Sequence, residues 1–112
     1  MPERRTTPRK KFALYLRVMN DDTQEQLGHL VELSNDGLKL ETSMALPIEK
    51  DYYLRVELTP ELADRPFIVF IGRTKWCKAG IIPDLYQCGF HISEIMPDDN
   101  QILMDIQRKF GT

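Results

Sequence analysis

The length and composition of the chain exclude several classes of protein. Its 112 residues suit one domain, and 42% hydrophobic with 29% charged residues is typical of a chain that folds around a core. Five of the 15 basic residues lie within residues 4–11, so the rest of the chain carries ten basic residues against 17 acidic ones. A short basic arm on an acidic body favours a small anionic ligand over long nucleic acid, which usually needs a broad basic face.

The apolar runs and the cysteines predict where the chain works. No apolar run approaches the roughly 20 residues of a membrane-spanning helix, and the N-terminus lacks the apolar stretch of a secretory signal. The two cysteines, Cys77 and Cys88, are too few for a disulfide framework. We therefore expect packed thiols in a reducing cytoplasm.

Alternating apolar and polar residues, typical of half-buried strands, recur along the chain. In the second predicted strand we place Leu30 and Glu32 on one face and Leu33 on the other. Asn35-Asp36-Gly37 predicts a hairpin turn in which glycine accepts a positive φ, and Gly72 predicts a bulge or bend. The predicted strands are residues 12–18, 26–34, 38–42, 52–58, 67–77 and 86–92.

The C-terminal region predicts one helix that starts at Pro97, where Asp98 and Asp99 complement the positive end of the helix dipole. An apolar stripe follows at helical spacing, formed by Ile102, Leu103, Ile106 and Phe110. Together the elements predict a mainly β fold, a six-stranded antiparallel barrel with a C-terminal α-helix. We expect two parts: a flexible basic arm at residues 1–11 and a single barrel domain at residues 12–112.

The arm contains two arginines four residues apart, Arg5 and Arg9, with Arg4 directly before the first. Guanidinium groups pair bidentately with phosphates and with the O6/N7 edge of guanine, and they stack on purines. The alternative interpretation is a solvated basic tail.

A second motif lies at the turn after the second strand. Glu32 and Ser34 project from one strand face, and a carboxylate there can accept from the N1–H and N2–H₂ donors of guanine. Gly37 lets the backbone come close to a ligand. The alternative is an ordinary hairpin turn, because Asn-Asp-Gly turns are common.

These two motifs resemble those of the PilZ domain family of bacterial cyclic di-GMP receptors. The family has an R-x-x-x-R arm before the first strand and a D/N-x-S-x-x-G motif at the turn between strands two and three. Glu32 departs from the pattern, because the family has Asp or Asn at that position. The resemblance implies a ligand site formed by Arg4, Arg5, Arg9, Glu32, Ser34 and Gly37.

The resemblance also implies how such a protein works. Ligand binding would order the arm and signal to a downstream effector protein in pathways such as motility or biofilm formation, without enzyme activity. Arg4 implies two stacked cyclic di-GMP molecules per chain and no other cofactor. The alternative is a nucleotide-independent PilZ-like interaction module of the type IV pilus or flagellar kind, which Glu32 favours.

Other constellations carry less chemistry. Cys88 and His91 are three residues apart on a strand and face opposite sides, so we expect no metal. Ser34, Asp84 and His91 match no nucleophile motif, so we expect no catalysis. Trp76 is interpreted as core or sheet-face packing, and a base-stacking platform is the alternative. A nucleic-acid-binding barrel would need aromatic platforms and a wider basic groove.

Overall fold

The computed structural model describes the backbone of residues 10–11 and 15–110 and the side chains of residues 15–109. Within these residues, seven strands precede one helix. They are β1 (Lys10–Lys11), β2 (Arg17–Asn20), β3 (Gln26–Leu33), β4 (Gly37–Thr42), β5 (Asp51–Glu57), β6 (Phe67–Ala79), β7 (Tyr86–Glu94) and α1 (Pro97–Phe110).

Strands β2 to β7 form a closed barrel. They lie in the order β3-β2-β5-β6-β7-β4, every neighbouring pair is antiparallel, and β4 pairs back with β3. The predicted six-stranded antiparallel barrel with a C-terminal helix is therefore confirmed. The short β1 pairs with β3 beyond the end of β2, with Lys10 opposite Leu33 and Lys11 opposite Glu32.

The core lies inside the barrel and follows the alternation of the sequence. In β5, for example, Tyr52, Leu54 and Val56 are buried, whereas Asp51 and Tyr53 are exposed. The fully buried side chains come from most of the strands and from the helix. They include Val18, Leu30, Leu33, Leu38, Leu40, Leu54, Val56, Ile68, Cys88 and Ile106.

The first predicted strand is too long at its start. Pairing of β2 begins at Arg17, and Tyr15 and Leu16 lie outside any strand although Leu16 is buried. Alternation records burial, and it continues at Leu16, just before β2, where the Leu16 carbonyl accepts the N–H of Leu30 at 2.9 Å. Residues 1–9 and 12–14 lie outside the described residues, so the predicted division into an arm at 1–11 and a barrel at 12–112 remains a prediction.

A β-bulge in β3 corrects the predicted faces of that strand. Leu30 pairs with Leu40 and Glu32 pairs with Lys39, so Val31 is an extra residue. Leu30 and Leu33 consequently both reach the core. The prediction that Leu30 and Glu32 share a face is therefore wrong. The predicted irregularity at Gly72 is confirmed by a register shift between Ile71 and Gly72.

Helix α1 packs against the barrel near the end of β3. Leu103 and Ile106 are buried as predicted, and the Gln107 side-chain amide donates to the carbonyl of Leu33 at 3.4 Å. At the start of the helix, Asp99 pairs with Arg65 at 2.6 Å. The side chain of Phe110 lies outside the described residues. Across residues 15–110, no helix is long and apolar enough to cross a membrane.

Candidate functional site

The β3–β4 turn is held by Ser34. Its backbone N–H donates to the carbonyl of Gly37 at 2.9 Å, and its hydroxyl donates to the same oxygen at 3.3 Å. Only 6% of Ser34 is exposed. The Ser34 hydroxyl therefore lies inside the β3–β4 turn, and its contacts fix the shape of that turn.

Gly37 is required by a close approach between strands. The predicted positive φ at Gly37 is wrong, since none of the glycines in the described residues has a positive φ. A Cβ at Gly37 would instead lie 2.6 Å from the carbonyl oxygen of Phe90 in β7. The Asp36 carbonyl accepts the N–H of Ile92 at 2.9 Å, so the turn is joined directly to β7.

Glu32 is paired with a lysine that sequence reasoning missed. Lys39 lies opposite Glu32 across the hairpin, and its Nζ is 2.7 Å from Glu32 Oε2. The side chain of Glu32 is 7% exposed and that of Lys39 is 17% exposed, so the ion pair is largely shielded from solvent. The hairpin register carried a signal for it, because a turn centred on Asn35 and Asp36 puts residue 39 opposite residue 32.

Trp76 lies on the outer face of the barrel beside this pair. Lys39 is opposite Gly89 in β7, and Gly89 is opposite Trp76 in β6, so one row crosses four strands. A Cβ at Gly89 would clash with the Trp76 indole, which shows that the ring covers the glycine. Sheet-face packing was among the expectations for Trp76, and the indole does pack on the face of the sheet over Gly89.

A shallow depression of about 230 Å³ lies between the turn and Trp76. Enclosing pockets for small molecules usually have about 300–1,000 Å³. This surface is therefore a floor rather than an enclosing pocket. The residues that line the depression are Asp36, Gly37, Lys75, Trp76, Gly89, Phe90 and His91.

Most of the positive groups near this floor are paired with carboxylates, whereas Lys78 Nζ lies over the Trp76 ring, 5.3 Å from its centroid. Lys75 Nζ is 3.1 Å from Glu49, as is Arg73 Nε, and hydrogen bonds from Lys75 and Arg73 lower the pKa of Glu49. Lys39 is paired with Glu32. An anionic ligand on this floor would therefore meet Lys78 and would gain from further cations.

The arginines that could supply such cations, Arg4, Arg5 and Arg9, lie outside the described residues. The chain enters the described barrel close to the floor, because Lys10 follows Arg9 directly and pairs with Leu33. Of the six predicted site residues, the structure thus brings together Glu32, Ser34 and Gly37. Among residues whose side chains are described, no group of three or more His, Cys, Asp or Glu could hold a metal ion.

Comparison with known proteins agrees with this architecture. The family model of the PilZ domain matches residues 3–107. The chain therefore belongs to the PilZ domain family, and the resemblance found in its motifs is confirmed. No match was found among curated protein sequences.

Several solved structures share the fold. The PilZ domain of Escherichia coli YcgR, solved with c-di-GMP, matches with a TM-score of 0.70 and 15% identity over 96% of this chain and 92% of that one. The K. pneumonia MrkH–c-di-GMP complex matches with a TM-score of 0.70 and 17% identity, covering 96% of this chain and 52% of MrkH. The Bacillus subtilis inhibitor of motility MotI/DgrA matches with a TM-score of 0.68 and 18% identity, covering 96% and 52%. The chain thus spans about half the length of MrkH and MotI.

Proposed function

We propose that this chain is a cyclic di-GMP receptor whose arginine arm closes over the ligand on the floor between the β3–β4 turn and Trp76. The observation that carries the proposal is the grouping of Glu32, the Ser34–Gly37 turn and Trp76 on one face, beside the point where the chain leaves the arm. Family membership supports it, as do the YcgR and MrkH structures, which were solved with this ligand.

The roles of the site residues follow from their chemistry. The Glu32 carboxylate can accept from the N1–H and N2–H₂ groups of guanine. The half-buried indole of Trp76 offers an aromatic surface to a base. Arg5 and Arg9 would clamp phosphates and guanine edges beside Lys78, because Lys39 and Lys75 are already paired with carboxylates.

The arm would act as the switch. A segment that becomes ordered only with ligand changes the local surface and charge, and this change gives an effector protein something to recognise. Arg4 would stack on a second cyclic di-GMP molecule, giving two per chain. The shared fold with a protein described as an inhibitor of motility makes motility one pathway to examine for that effector. The chain would act by binding, without enzyme activity and in the cytoplasm.

One observation favours a second candidate function, a nucleotide-independent interaction module. The carboxylate that would hold guanine is already bound by Lys39 at 2.7 Å in a shielded pair. If this pair is purely structural, the motif serves the hairpin and the chain binds only proteins.

Calorimetric titration of the purified chain with cyclic di-GMP, with GMP as the control ligand, separates the two functions. The expected result is binding at micromolar concentration or tighter with two nucleotides per chain. Trp76 is the only tryptophan, so its fluorescence gives a second reading from the site itself. Absence of both heat and fluorescence change at high ligand concentration would overturn the receptor and support the nucleotide-independent module.

A further inference from the structure

The only two cysteines of the chain face each other across neighbouring strands. Cys77 in β6 is directly opposite Cys88 in β7, and their sulfur atoms lie 2.6 Å apart, with the Cys88 thiol donating to the Cys77 sulfur. Opposite residues in an antiparallel pair have Cα atoms about 4.5 or 5.5 Å apart, and both values fall within the range that a disulfide spans. The backbone therefore already has the separation that a cross-link requires.

We propose that Cys77 and Cys88 are a redox-active pair that forms an intramolecular disulfide when the chain reacts with a hydroperoxide. The inference concerns a modification site and does not depend on nucleotide binding. It also departs from the sequence expectation that both cysteines are merely packed thiols.

The two sulfurs have unequal surroundings, which assigns their roles. Cys77 is partly exposed, and its sulfur accepts the backbone N–H of Leu46 at 3.4 Å. Cys88 is fully buried, with the Thr42 hydroxyl 3.7 Å away, and burial raises the pKa of Cys88 to about 11. Cys77 is therefore the sulfur that meets the oxidant, and Cys88 remains a protonated thiol until it resolves the product.

The chemistry balances in two steps. The Cys77 thiolate attacks one oxygen of the hydroperoxide, the O–O bond breaks, and Cys77 becomes a sulfenic acid while water or an alcohol leaves after taking up a proton. The Cys88 sulfur then attacks the Cys77 sulfur, the S–O bond breaks, and the sulfenic oxygen leaves as water with the Cys88 proton. Two thiols are oxidised and one peroxide bond is reduced.

The disulfide would change the surroundings of the Trp76 indole. Cys77 follows Trp76 directly in β6, and Cys88 precedes Gly89, the residue that the indole covers. The sulfurs face the core side while the indole lies on the outer face. Joining the two strands at this position constrains the backbone that sets the indole on its glycine.

The test is oxidation of the full chain by hydrogen peroxide, without nucleotide. The expected products are monomers that have lost two hydrogen atoms and both free thiols, with a changed Trp76 emission, all reversed by dithiothreitol. Intact mass, thiol titration and fluorescence measure these changes. Retention of both thiols, a disulfide-linked dimer, or further oxidation of Cys77 without a cross-link would overturn the proposal.

Two single variants test the order of the steps. Cys88→Ser should leave the Cys77 sulfenic acid unresolved, so dimedone should label the protein after peroxide treatment. Cys77→Ser should remain unlabelled under the same conditions because Cys88 is buried and protonated. Labelling of Cys77→Ser but not of Cys88→Ser would overturn the assigned roles. The measurement on the unsubstituted chain stands even if a variant fails to fold.

Discussion

Lys39 Nζ lies 2.7 Å from Glu32 Oε2 across the β3–β4 hairpin, at the motif position where the family has Asp or Asn. The longer side chain of glutamate reaches a cation on the neighbouring strand and becomes part of a shielded ion pair. Glu32 therefore has a structural partner before any ligand arrives, and its stability role and its binding role can be measured separately.

The stability role is tested by Lys39→Met, which retains apolar volume and removes the cation. We expect the free energy of unfolding to fall by about 3 kcal/mol, because a shielded carboxylate loses its partner. Urea denaturation measures the loss. The double variant Lys39→Met/Glu32→Gln should recover much of it, since no uncompensated charge remains. A single variant as stable as the parent would show that solvent, rather than Lys39, satisfies Glu32.

The binding role of the arm is tested by Arg9→Ala. We expect cyclic di-GMP affinity to weaken about tenfold or more, because charge-assisted hydrogen bonds are worth about 1.5–3 kcal/mol. Calorimetry measures the change. The matched control is Arg108→Ala, which removes an exposed arginine paired with Asp105 on α1. Equal affinities for Arg9→Ala and the parent chain would remove Arg9 from the site.

The departure at position 32 is tested by Glu32→Asp. We expect tighter cyclic di-GMP binding, because the shorter side chain withdraws the carboxylate from Lys39 and restores the family pattern. A small loss of stability should accompany the gain, since the ion pair lengthens. Titration and denaturation of the same preparation report both quantities. Weaker binding would instead show that the site is built around glutamate.

The placement of Trp76 is tested by Gly89→Ala. The added methyl group would clash with the indole, so we expect a shifted Trp76 emission and weaker cyclic di-GMP binding. Gly80→Ala is the control, because its methyl group would lie 3.2 Å from the Leu85 carbonyl and meets no part of Trp76. Unchanged emission and affinity in Gly89→Ala would exclude the indole from the site.

The buried thiol predicts a loss of stability in alkali. Burial, followed by the hydrogen bond with Cys77, raises the pKa of Cys88 from 9.0 to about 11. The unfolded chain therefore loses this proton first, so the contribution of Cys88 is fully present below pH 9.0 and lost as the pH rises through about 11. Under reducing conditions, the unsubstituted chain should lose more stability across this window than Cys88→Ser. Parallel losses in both chains would contradict the raised pKa.

Much of the fold could be predicted because the information is local. Alternation in β5 and β7 and the Asn35–Gly37 turn define strands from neighbouring residues alone, and the helix entrance at Pro97 is equally local. The start of β2 could not be located in this way. Leu16 is buried and bonded to Leu30 like a strand residue, yet β2 starts at Arg17, and that boundary depends on the partners in β3 and β5.

The candidate site, like the fold, was predictable where it depends on neighbouring residues and not where it depends on distant strands. Glu32, Ser34 and Gly37 were predicted from one short segment, and the hairpin does bring them together. The close approach that requires Gly37 involves Phe90, and the cover over Gly89 involves Trp76. These contacts depend on register shifts and on barrel closure, which no local pattern records.

The extra residue in β3 matters to anyone who transplants this motif into another barrel. Because Val31 is an extra residue, the alternation of faces in β3 shifts by one residue between Leu30 and Glu32. Leu30 and Leu33 therefore both point inward, and Glu32 lies opposite Lys39. A graft that copies residues 32–37 onto a regular strand keeps the residue types of the motif, but the host strand decides which face of the sheet each side chain takes. If that face is the inner one, the carboxylate would point into the host core. The portable unit is therefore the motif together with its bulge, and an alignment of related chains across this hairpin needs a one-residue gap wherever the bulge is missing.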